Sequence, residues 1–85
     1  IFWEVYPNPV AKDGQFTVGI NSAKAVPGAR LQVVDISGRI IVDKVLQIVK
    51  GYQAVDLRAG FGTGQFMLRL LNVDGMTESK KIVVQ

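Results

Sequence analysis

Apolar and polar residues alternate along most of this chain, and Gly, Pro, Asn and Asp punctuate the alternation. The first such segment, residues 2–6, runs into Tyr6, Pro7, Asn8 and Pro9. Two prolines there fix φ and remove two backbone donors, so the strand must stop or continue as an extended, polyproline-like stretch. After a turn at Asp13 and Gly14, residues 16–20 place Phe16, Val18 and Ile20 on one face of a second strand. Residues 21–28 collect Asn, Ser, Pro and Gly and predict a loop that carries the chain to the other side of the fold.

A third strand follows over 31–36, and Ser37 with Gly38 predicts a tight hairpin into residues 40–49. That segment is apolar on both faces and long for one strand, which predicts a bend or bulge near Asp43 and Lys44. Helix is the rival reading. The β-branched residues Ile36, Ile40, Ile41, Val42, Val45, Ile48 and Val49 argue against it. Lys50 and Gly51 turn into a strand over 52–57, followed by a loop with Gly60, Gly62 and Gly64. Phe66, Leu68 and Leu70 form the cleanest inward row. Asp74 and Gly75 predict the last hairpin, and residues 77–85 close the chain with Ile82 and Val84 inward and Lys80, Lys81, Val83 and Gln85 outward. About seven strands without a helix predict an antiparallel, immunoglobulin-like β-sandwich, preferred over a small barrel.

Length agrees with this reading. Eighty-five residues, 48% of them hydrophobic, supply one modest core and one domain, residues 1–85. The absence of Cys and His removes disulfide and zinc staples and the commonest catalytic groups. No cofactor and no metal is expected, and no catalytic residue stands out. The net charge of +3 is mild, and the ten basic residues are scattered from Lys12 to Lys81, so nucleic acid is not an expected partner. Ile1 in place of an initiator Met predicts a piece of a longer protein.

Candidate chemistry is sparse. Gly60, Gly62 and Gly64 feed a strand and not a helix, unlike a phosphate-cradling loop. Asp13 and Asp74 are single loop carboxylates that suit turns better than a calcium site. Asp35, Asp43 and Asp56 read as strand residues with neighbouring partners. Trp3, Tyr6, Tyr52 and Phe61 remain as possible exposed aromatics. On one shared face they would make a sugar platform, the mark of an immunoglobulin-like accessory module.

Three clusters are left unexplained by the sandwich alone. They are Tyr6-Pro7-Asn8-Pro9 with Phe16 and Val18, then Val34-Asp35-Ile36-Ser37-Gly38-Arg39-Ile40, and then Gly64, Gln65 and Phe66 with Asp74, Gly75 and residues 80–85. In this order the chain resembles a type IX (Por) secretion system type A C-terminal sorting domain, the module at the end of many proteins exported by Bacteroidota. The resemblance covers nearly all of the chain. The family usually has Tyr where Phe66 stands and often a β-branched residue where Gln65 stands.

The resemblance implies a non-catalytic address label. Its cargo would reach the periplasm by a separate signal and be passed by outer-membrane translocon components to the cell surface or medium. A sortase-like surface protease would then remove the label by cutting upstream, and can attach the cargo to anionic lipopolysaccharide. The residues it singles out are Gly64, Phe66, Gly75, Lys80, Lys81, Ile82, Val83, Val84 and Gln85 for the partner, and Tyr6, Pro7, Asn8, Pro9, Gly38 and Arg39 as structural motif. If residues 77–85 form an edge strand, free backbone groups would invite strand addition by a receptor, or exchange between two copies as a swapped dimer. The plain alternative is that Lys80 and Lys81 only keep a sheet edge soluble.

Overall fold

The computed structural model describes residues 1–72 and 77–85. The Asp74–Gly75 turn expected from the sequence lies outside them. Seven strands, β1 (Phe2–Tyr6), β2 (Gln15–Ser22), β3 (Val26–Val34), β4 (Ile40–Ile48), β5 (Gly51–Arg58), β6 (Gly64–Leu71) and β7 (Thr77–Val84), form two antiparallel sheets. One has the order β1-β2-β5 and the other β4-β3-β6-β7. The two sheets make the β-sandwich that the strand pattern predicts, with no helix among the described residues.

The inward rows are the period-two rows of the sequence. Phe16, Val18 and Ile20 of β2, Leu31 and Val33 of β3, Leu68 and Leu70 of β6, and Ile82 and Val84 of β7 all meet in one buried core. Burying each such side chain contributes about 1.5–3 kcal/mol. Phe61, from the glycine-rich loop, closes one end of the core. Its ring stands edge-on to Phe16 at 6.4 Å and to Phe66 at 4.7 Å between centroids.

Strand bounds and bulges differ in places from the sequence reading. The 21–28 loop shrinks to residues 23–25, because β3 already begins at Val26. Pro27 and Gly28 lie in a bulge, where these two β3 residues between Val26 and Ala29 face the single β4 residue Gln47. A missing N–H at Pro27 and a φ of 76° at Gly28 suit that irregular step. The irregularity within β4 falls at Ile41, between the pairs Val33–Val42 and Val34–Ile40, and the Asp43–Lys44 stretch is in regular register. Asp35 is in the β3–β4 turn and not in a strand. Both bulges lie in the β3–β4 hairpin, where the cross-strand register, and not the composition of either strand alone, decides which residue is left unpaired.

Candidate functional site

Strand β7 borders its sheet, and its side chains alternate between two environments. Ile82 and Val84 are buried; Lys81, Val83 and Gln85 lie on the outer face, where Met67 and Gln65 of β6 pair with Lys81 and Val83. Lys80 departs from its expected outward place. It shares the row of Ile82 and Val84, and its ammonium lies over the Trp3 ring, 5.3 Å from the centroid. A two-residue period requires this, and the long lysine stem reaches the end of the sandwich while the charged tip finds the indole face. Phe66 pairs with Ile82 and is buried with it, and Gly64, at φ 128°, pairs with Val84. The residues singled out by the sequence thus divide. Phe66, Ile82 and Val84 build the core; Lys81, Val83 and Gln85 are presented; Gly75 lies outside the described residues.

The expected free edge is largely taken. Val10 forms a parallel bridge with Val84: the Val10 N–H donates to Val83 O, and the Gln85 N–H donates to Val10 O, both at 2.9 Å. The Lys12 N–H donates to Gln85 O at 2.9 Å. One step earlier, the Asn8 side chain substitutes for backbone. Its Nδ2 donates to Lys81 O at 2.8 Å, and its Oδ1 accepts from the Val83 N–H at 3.0 Å.

This geometry explains the order of residues 6–9. The prolines, both preceded by cis peptide bonds, end the β1 ladder. The chain then leaves the first sheet for the edge of the second, and the Asn8 amide provides the donor and acceptor needed between two prolines. Val10, nearly inaccessible, anchors the strap. Described pairing on this edge stops at Lys81, so Thr77 and Ser79 are the remaining candidates for strand addition.

The β3–β4 turn is fixed by one carboxylate. Asp35 Oδ1 accepts from the Ser37 hydroxyl at 2.6 Å, the Arg39 N–H at 2.9 Å and the Ser37 N–H at 3.0 Å. Asp35 Oδ2 lies 3.3 Å from Arg39 Nε, and Gly38 closes the turn at φ 91°. The Ser37 hydroxyl first, then the Arg39 N–H and guanidinium, hold the Asp35 carboxyl below its ordinary value. The turn therefore holds Ile36 out from the sheet, 91% exposed. Ile36 shares a shallow surface dimple of about 80 Å³ with Gln65, Phe66, Met67 and Lys81. Two clusters far apart in sequence thus meet on the outer face.

The aromatic platform does not form. Trp3 is only 2% exposed and belongs to the core, and Phe61 packs between Phe16 and Phe66. Tyr6 and Tyr52 do share the outer face of the smaller sheet, with their hydroxyls 2.8 Å apart. Gly19 leaves room for the Tyr52 ring, since a Cβ there would stand 2.8 Å from Tyr52 Oη. Thr17 donates to Asp56 at 2.7 Å, and Arg30 forms a two-pronged pair with Asp43 at 2.9 and 3.0 Å. Among the described residues no group of three or more His, Cys, Asp or Glu side chains is placed to hold a metal ion.

The sequence profile of the secretion system C-terminal sorting domain family matches residues 4–85, which include the strap, the Asp35 turn and β7. The chain belongs to this family. No curated protein matches its sequence. As a type IX secretion sorting domain it is a C-terminal signal with a non-catalytic role. It acts with the type IX secretion machinery, and its cargo is exported across the outer membrane to the cell surface or the medium.

Proposed function

We propose that the translocon reads the folded sorting domain through the outward side chains of β7, above all Lys81 with Val83 and Gln85. The single observation carrying this is the strap: with the β7 edge from Lys81 to Gln85 occupied by Asn8, Val10 and Lys12, what a receptor meets there is the face and not the edge. Lys80, Ile82, Val84, Phe66 and Gly64 act indirectly by fixing β7 in register. The cargo reaches the translocon through the periplasm, and a sortase-like surface protease then cuts upstream of the domain. Export of a periplasmic reporter fused to the domain, in a bacterium with the translocon, tests this. Val83→Glu is expected to lower surface and medium reporter at least tenfold without unfolding the domain, and released reporter is expected to lack the domain's mass. Wild-type export of folded Val83→Glu would refute the reading.

A swapped dimer remains a second proposal for the isolated domain. Exchange of β7 must open both its ladder with β6 and its bonds to the strap, so it requires unfolded chains. Light scattering is expected to detect dimer after refolding at high concentration and monomer in natively purified protein. Monomer in both would contradict it.

A further inference from the structure

We infer that the 35–39 turn forms the second half of the reading surface, and that its partner is an acidic polypeptide segment carrying one apolar side chain. The apolar group seats in the dimple between Ile36 and Met67, and the carboxylates face Lys81 and Arg39. This rests on the reading of the β7 face given above and extends it to residues that otherwise serve only as a hairpin.

Preorganisation is the first ground. An exposed isoleucine on a loose loop would say little, because ordering the loop would consume the gain from burying it. Ile36 instead rides on a turn whose three donors converge on Asp35 Oδ1. Across the dimple Met67, 37% exposed, adds a flexible thioether that can adapt to an irregular partner.

Charge is the second ground. The stretches that build this surface, residues 34–40, 64–67 and 79–85, contain the cations Arg39, Lys80 and Lys81 and a single side-chain carboxylate, Asp35. Asp35 is occupied by its own turn. Lys80 is turned away over Trp3, which leaves Lys81 on the outer face and Arg39 exposed on the neighbouring turn. The Arg39 side chain approaches Asp35 through Nε and is 79% exposed, so other guanidinium N–H groups can take a second carboxylate. A concavity of side-chain size lined by Lys81, with Arg39 three residues from Ile36 on the same turn, fits an acidic peptide with an apolar residue better than a flat lipid surface.

The test is sedimentation of the purified domain with outer-membrane vesicles from a strain carrying the translocon and from one lacking it. Ile36→Ser and Arg39→Gln are each expected to weaken binding roughly tenfold, and added salt to weaken the wild type similarly. Val45→Ser, at an exposed β4 position on the same sheet, is expected to bind as wild type. Melting curves confirm that each variant is folded. If Ile36→Ser and Arg39→Gln bind normally while Lys81→Glu does not, this inference fails and the β7 reading stands. If Lys81→Glu also binds normally, both fail. Equal binding to vesicles without the translocon, or to pure anionic lipid vesicles, would overturn the inference in favour of a membrane surface. Salt-independent binding would overturn the acidic partner.

Discussion

Deleting residues 81–85 is expected to unfold the domain, not merely to blunt its signal. The deletion removes Ile82 and Val84 from the core and strips Val10 of its neighbour. At about 1.5–3 kcal/mol per buried side chain, these three account for about 4.5–9 kcal/mol. A domain of this length has a total stability of only about 4–13 kcal/mol. The strap loses its partners as well, since the bonds that Asn8, Val10 and Lys12 make among the described residues go to Lys81, Val83 and Gln85 of the deleted segment. Circular dichroism with urea titration checks this. Loss of the cooperative transition is expected; a midpoint near that of the full domain would show that β7 beyond Lys80 is dispensable to the fold. Failed export of such a truncation therefore reports unfolding, and face substitutions are the cleaner probe of reading.

Trp3→Ala is expected to destabilise the domain by about 3–5 kcal/mol, the range for removing a large aromatic side chain from a packed core. The indole packs among buried residues, and its Nε1 has no hydrogen-bond partner among the described residues. Trp3→Phe is therefore expected to cost less, since it keeps most of the packing and removes a buried donor without a bond. Tyr52→Ala, on an exposed ring, is expected to shift the urea midpoint by a small fraction of the Trp3→Ala effect. As the sole tryptophan, Trp3 also reports its own burial: native emission should be blue-shifted and move red on unfolding. Equal midpoints for Trp3→Ala and wild type would place the ring on the surface and restore the sugar-platform reading.

The inward rows were legible because Phe16, Val18 and Ile20, and likewise Phe66, Leu68 and Leu70, follow a two-residue period that one buried face imposes. Trp3 had a signal too. Glu4 faces water, so Trp3 and Val5 must face inward, and β1 shows that alternation. The same parity put Lys80 with Ile82, though a lysine beside a second lysine reads most simply as surface. The strap was not legible. Asn8 bonds residues 73 and 75 positions away, and no local pattern says that a side-chain amide between two prolines will stand in for backbone on a distant strand. The dimple was hidden for the same reason, since Ile36 and Lys81 meet only through the ladders β3–β6 and β6–β7.

Two adjacent lysines give the most direct test of the claim that a face of the folded domain is what the translocon reads. Reporter export and urea midpoint are measured together for Lys80→Gln and Lys81→Glu. Lys80→Gln should lower the midpoint modestly, through a loss of about 0.5–1 kcal/mol of stability with the cation–π contact, and leave export near wild type. Lys81→Glu should leave the midpoint unchanged and reduce export at least tenfold. The opposite pattern, with export lost in folded Lys80→Gln and kept in Lys81→Glu, would contradict the account.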